Sequence, residues 1–102
     1  MGIDYSYECT KAKIVKELGT FGERRVLLCN LWFDDEHGHA LAPAKKVVVV
    51  VEGGSADIEK YPENFLPEDA DKATWKRFQK LCDASDIGYH VYNDNELAKM
   101  LA

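Results

Sequence analysis

Five consecutive valines, Val47 to Val51, constrain the fold of this chain more than any other feature. A strand with one face in water alternates apolar and polar residues, and this run does not alternate. Valine is stiff at χ1 and packs well on a pleated sheet, so the run favours a strand over a helix. Glu52, Gly53 and Gly54 then end it. We predict a central strand near 46–51 that is covered on both faces.

The composition is that of a small folded protein. Of its 102 residues, 46% are apolar and 30% are charged, which allows one modest hydrophobic core. The three cysteines have no Cys-x-x-Cys spacing, so we predict buried thiols without a disulfide framework or zinc site. No apolar run is long enough to span a bilayer. We expect a single domain over 1–102, in the cytoplasm and without membrane association.

Two further strands and two helices are predicted around the valine run. Apolar residues fill both parities near 25–33, and a short strand is expected near 89–92. Helices are predicted near 68–86, where one arc is apolar, and near 94–101. Strand, helix and strand in succession form a right-handed unit in nearly all known parallel sheets. The prediction is therefore an α/β or α+β domain whose mixed sheet contains a right-handed β-α-β unit.

Residues 10–18 allow two interpretations. Apolar residues recur at helical spacing, with Thr10 as a cap and Gly19 as a terminator. The lysines nearly alternate, however, which is typical of a strand that enters a hairpin through Gly19 to Gly22. Both alternatives stay open at this stage.

A candidate binding site follows from the predicted β-α-β unit. Ligands of α/β proteins bind beyond the carboxyl ends of parallel strands. Two such ends would bring together a polar set consisting of Glu52, Gly53, Gly54, Ser55, Asp57 and Asp94. Carboxylate and hydroxyl oxygens suit Mg²⁺, although a turn and a helix cap also explain these residues. We assign them a binding role, name no catalytic residue, and expect no cofactor, with Mg²⁺ as the alternative.

The stretch Val47 to Glu52, followed by Gly53 and Asp57, resembles the first element of the toprim domain of primases and topoisomerases. That domain has a valine-rich strand, then Glu-Gly, then a nearby Asp. The resemblance implies magnesium-dependent chemistry on phosphodiesters or nucleotides, with Glu52, Asp57 and Asp94 as the acidic residues. The Asp-x-Asp pair of that family is reduced here to Asp94 alone.

A second resemblance is to the nuclease fold of restriction enzymes and very-short-patch-repair endonucleases. Segments 46–54, 75–81 and 88–91 follow the strand, helix and Gly-aromatic-x-Val order of that fold. Val50 and Gly54 occupy the positions where those enzymes carry an acid or a lysine. The resemblance therefore implies the fold without the full catalytic set.

Metal-capable side chains also cluster after the second predicted strand. They are Asp34, Asp35, Glu36, His37 and His39. Their spacing matches no recognised zinc or nickel site, and we expect them to be a solvated turn.

Net charge narrows the choice of partner. At −5, the chain as a whole repels phosphate backbones, so nucleic acid is disfavoured. The basic face of the long helix is the alternative contact for phosphate, through Lys72, Lys76, Arg77 and Lys80. We predict a small acidic cytosolic binding or regulatory protein that acts through protein contacts, of immunity, antitoxin or inhibitor type, and we favour this function over an enzymatic one. The alternative is a divalent-metal-dependent nuclease-like or toprim-like enzyme, and a homodimer stays open.

Overall fold

A twisted sheet with one helix on each face forms the protein. The computed structural model of the chain describes residues 6–34, 46–87, 90–91 and 94–102. The strands are β1 (Ser6–Phe21), β2 (Arg24–Asp34), β3 (Val47–Glu52), β4 (Ser55–Ile58) and β5 (His90–Val91). The helices are α1 (Lys72–Asp83) and α2 (Asp94–Met100), with a 3₁₀ turn at Pro62–Asn64.

The order of strands across the sheet is β4-β3-β2-β1-β5. The first four are antiparallel neighbours, and β5 pairs in parallel with the first two residues of β1. A small α+β domain is therefore confirmed. The structure does not show the predicted right-handed β-α-β unit, because the neighbours of β3 are β2 and β4, both antiparallel to it. The chain reverses at Gly53-Gly54 into β4 before it reaches the helix.

The valine run is covered on both sides, as predicted. Val48 and Val50 pack with Phe78 of α1, whereas Val47 and Val49 pack with Leu97 of α2. All four are buried. Because successive side chains of a strand point to opposite faces, one valine run lines two cores. We call these the α1 face and the α2 face of the sheet.

Residues 10–18 belong to β1, so the strand alternative was correct and the helix alternative wrong. The pairing of β1 with β2 skips Thr10, Val15 and Leu18, each of which is an extra residue on β1. Such bulges break the two-residue alternation of a strand. The extra residues at 15 and 18 place apolar side chains at intervals that imitate a helix.

Helix α1 begins four residues later than predicted from 68–86. Asp71 is its N-cap, and the side-chain oxygen of Asp71 accepts a hydrogen bond of 2.7 Å from the Thr74 N–H. That bond holds the pKa of the Asp71 carboxyl below its usual value. Glu68 and Asp69 precede the helix.

Candidate functional site

Five of the six predicted binding residues lie in a tight hairpin. Glu52 pairs with Ser55, which leaves Gly53 and Gly54 as a two-residue loop between β3 and β4. Gly53 has a φ of 61°, and Gly54 is not in the positive region. This pattern matches a type II′ turn, which suits the twist of an antiparallel pair. The loop is a turn between neighbouring strands and not the rim of a crevice.

The Glu52 carboxylate is held by a neighbouring side chain. Arg24 Nε donates to Glu52 Oε2 at 3.1 Å, and Arg24 Nη1 donates to the Asn64 carbonyl oxygen at 2.7 Å. Glu52 and Arg24 are about half exposed, and such surface pairs are worth about 0–1 kcal/mol. The arrangement fastens the 3₁₀ turn to the hairpin.

Asp57 pairs with Val50 and so takes the α1 face, while α2 packs on the opposite face. The side chain of Asp94 lies outside the part of the chain that the structure describes. Among the residues that the structure describes, no three His, Cys, Asp or Glu side chains are grouped so that they could hold a metal ion. Residues 35–39 and 93 lie outside the described part of the chain.

A different group of polar side chains shares one face of the sheet. Lys11 lies opposite Trp32, Lys13 opposite Asn30, and Lys16 opposite Leu28, across the pairing of β1 with β2. We call Lys11, Lys13 and Lys16 the lysine row. Directly opposite residues of an antiparallel pair point to the same face. Leu28 in turn pairs with Val48, so the row lies on the α1 face.

The three lysines of the row are exposed, and their cross-strand partners are half-buried. The Lys11 ammonium lies 5.0 Å from the centre of the Trp32 ring, within the range of a cation–π contact. Charges two positions apart along a strand are about 7 Å apart and repel by roughly 0.6 kcal/mol in water. The row places like charges together on one patch, which does not favour folding.

Two bulges set the face on which the lysines lie. Cys9, Ala12 and Ile14 belong to the core on the α2 face. If Thr10 were paired as in a regular strand, alternation would turn Lys11 and Lys13 to the face of Cys9. If Val15 were paired in the same way, alternation would turn Lys16 to the face of Ile14. The lysines are evident in the sequence, but no sequence pattern predicts which residues of β1 form the bulges.

Ion pairing divides the basic residues into two groups. Arg24, Arg25, Lys60 and Lys99 each lie within ion-pair distance of an acid. The lysine row forms no ion pair within the described part of the chain. The same holds for the basic side chains on the outer face of α1, which are Lys72, Lys76, Arg77 and Lys80. Both unpaired groups lie on the α1 side of the sheet.

The cysteines are buried thiols that form no disulfide, as predicted. Burial raises the pKa of Cys29 to about 11 and that of Cys82 to about 12, and it raises the pKa of Cys9 as well. A nucleophilic thiolate needs a lowered pKa and access to substrate. None of the three has either property.

Comparisons of the chain with protein-family models, with curated proteins and with solved structures find no match. Neither described helix is long and apolar enough to cross a membrane.

Proposed function

We propose that this protein is a small cytoplasmic binding or regulatory protein that works by contacting another protein, in the manner of an immunity protein, antitoxin or inhibitor. The observation that supports this proposal best is the pair of basic groups on the α1 side of the sheet. A chain with a net charge of −5 there carries the lysine row and the basic side chains of α1, none of which forms an ion pair within the described residues. Basic groups of this kind steer a partner of opposite sign and fix its orientation.

The arrangement of the acidic residues favours binding over metal-dependent catalysis. The Glu52 carboxylate accepts a hydrogen bond from Arg24, and Asp57 lies on the opposite face from α2. A magnesium site would need these carboxylates to converge on one ion. The toprim-like and nuclease-like alternatives rest on that convergence, so we rank them below a role in protein contact.

Association with a partner tests the proposal. The tagged chain is used to capture proteins from an extract of its native host, and each captured protein is then purified and titrated against the chain by calorimetry. We expect one protein to bind with defined stoichiometry, and we expect its affinity to fall as salt rises.

Recovery of the chain as a monomer, with no protein bound at low salt, would contradict the proposal. A parallel titration with MgCl₂ or MnCl₂ tests the enzymatic alternative directly. Heat of specific metal binding that is lost in the Asp57→Asn variant would favour that alternative instead.

A further inference from the structure

We propose that the lysine row is a binding site for an extended acidic segment of a protein partner. This inference rests on the proposed function and names its contact surface and the chemistry of the partner. The row is a different site from the hairpin residues and from the basic face of α1.

The spacing of the row fits an extended peptide. Lys11, Lys13 and Lys16 lie opposite every second residue of β2, so their backbone positions repeat at about 6.6–7 Å. Side chains on one side of an extended peptide repeat at the same interval. A segment with carboxylates at alternate positions can therefore place one carboxylate on each lysine.

The bulge at Val15 brings the three lysines to one face. A regular strand would place Lys16 on the opposite face from Lys11 and Lys13, and the extra residue Val15 turns Lys16 to their face. Bulges are frequent beside functional sites, where they redirect a side chain. The same bulges make β1 a poor edge for the regular addition of a further strand, so we expect contact through side chains on the face.

The side chains of β2 that lie beside the lysine row also suit contact with a peptide. Trp32 and Leu28 are half-buried between the lysines and β3, and Asn30 between them offers an amide for hydrogen bonding. Indole and leucine side chains supply apolar contact beneath a charged segment, and tryptophan is enriched in protein interfaces.

The charges around the row favour a short acidic peptide over nucleic acid. Glu8 and Asp34 lie opposite each other two pairs beyond Lys11 and Trp32 and on the same face, so acidic groups end the row there. A nucleic-acid strand that continued along β1 would meet these carboxylates.

A pair of matched variants tests the site. The strand variant is Lys11→Glu, Lys13→Glu and Lys16→Glu, and the control is Lys72→Glu, Lys76→Glu and Lys80→Glu on α1. Both reverse three exposed lysines and change the net charge equally. The probe is a fluorescein-labelled decapeptide of alternating Glu and Thr, followed by fluorescence anisotropy at low salt. We expect the strand variant to weaken binding by about tenfold or more and the control by less than about threefold.

Trp32 gives a second signal from the site itself. In a Trp75→Phe background Trp32 is the remaining tryptophan, because the chain has two. We expect its emission to change as the acidic peptide binds and to stay constant with a peptide of alternating Gln and Thr. Should the triple strand variant fail to fold, Lys13→Gln with Lys16→Gln removes two charges and keeps the contact between Lys11 and Trp32.

Three results would overturn the inference: no binding of the acidic peptide, equal weakening by the strand and control variants, or tighter binding of an oligothymidine of about twenty nucleotides through the same lysines. The two proposals fail separately. If a partner captured from the host binds the strand variant and the natural chain with equal affinity, the lysine row is not the binding site and the proposed function stands. If the natural chain captures no partner, the proposed function fails whatever the peptide does.

Discussion

At the scale of single residues, the Ser85 hydroxyl replaces a strand partner that the sheet lacks. β4 ends at Ile58, and one residue later the Glu59 N–H donates to the Val48 carbonyl at 2.8 Å. The Val48 N–H donates instead to Ser85 Oγ at 2.7 Å, and that hydroxyl donates to the Leu81 carbonyl at 2.9 Å. Ser85 is fully buried. The hydroxyl therefore joins the end of α1 to the central strand.

Ser85→Ala tests this link. The substitution leaves the buried Val48 N–H without its acceptor, which costs about 1–3 kcal/mol in the free energy of unfolding. Urea unfolding followed by circular dichroism measures the loss. Thr20→Ala removes an exposed hydroxyl from β1 and is the control, with an expected change within about 0.5 kcal/mol. Equal effects of the two substitutions would show that the Ser85 bond contributes nothing.

The buried thiol of Cys82 links stability to alkaline pH. Its pKa is about 12 in the folded protein, because burial disfavours the thiolate, compared with about 9 for a free thiol. As pH rises above 9 the unfolded chain ionises and the folded chain does not, so stability is lost between about pH 9 and pH 12. Below pH 9 the contribution is complete.

We therefore compare the natural chain with Cys82→Ala at pH 9 and pH 10. The variant is less stable at both values, but its unfolding free energy should fall by about 1 kcal/mol less over this interval. Urea unfolding at each pH gives the difference, and lysine and tyrosine titrations cancel because both proteins share them. Parallel curves for the two proteins over this interval would contradict a raised pKa.

At the scale of elements, glycines with positive φ set the two hairpins. Gly22 opens the turn between β1 and β2 with a φ of 64°, and Gly53 opens the turn between β3 and β4 with a φ of 61°. Side chains are disfavoured in this region because Cβ approaches the following carbonyl. Each glycine holds the first position of a two-residue loop.

Gly53→Ala should destabilise the protein by about 1–2 kcal/mol through this backbone strain. Gly54→Ala is the matched control, since its φ is not positive and no atom lies within 4 Å of the added methyl group. There the loss of freedom in the unfolded chain should stabilise by about 0.4–1 kcal/mol. Thermal unfolding of both variants measures these two changes in stability. A loss at Gly54 as large as that at Gly53 would exclude the type II′ turn.

Sequence patterns predicted the elements that follow a regular period. The valine run, the strand near 25–33 and the helix that buries Phe78 all keep one, and their positions are confirmed to within a few residues. β1 was ambiguous because bulges arise where two strands must fit each other, which no local pattern records. β4 was missed because its four residues are too few to show alternation.

The candidate site was harder to predict than the fold. Glu52 to Asp57 look like a ligand loop only if the chain continues directly to α1, whereas a two-residue turn sends it back along the sheet. The lysine row depends on which residues of β1 are extra, and therefore on tertiary pairing. The residue types alone indicated that polar side chains form a site, but the position of that site depends on the strand topology.

At the scale of the whole molecule, the sheet separates two hydrophobic cores. One contains Phe78 and Cys82 of α1, and the other contains Leu97 and Leu101 of α2. On the α1 face, Phe21 and Phe78 meet edge to face with ring centres 5.7 Å apart. Because no side chain of β3 can reach both faces, substitutions on opposite faces should act independently.

Double-mutant cycles test that independence. Leu97→Ala alone should cost about 2–5 kcal/mol. When it is combined with Phe78→Leu, the two losses should add within about 0.5 kcal/mol, because the residues share no partner. Phe78→Leu combined with Phe21→Leu is the comparison, and there we expect a coupling of about 0.5–1.5 kcal/mol from the lost ring contact. Urea unfolding of each set measures the coupling. A larger coupling across the sheet than between the two rings would mean that the valine strand transmits strain between its faces, and the two cores would have to be treated as one.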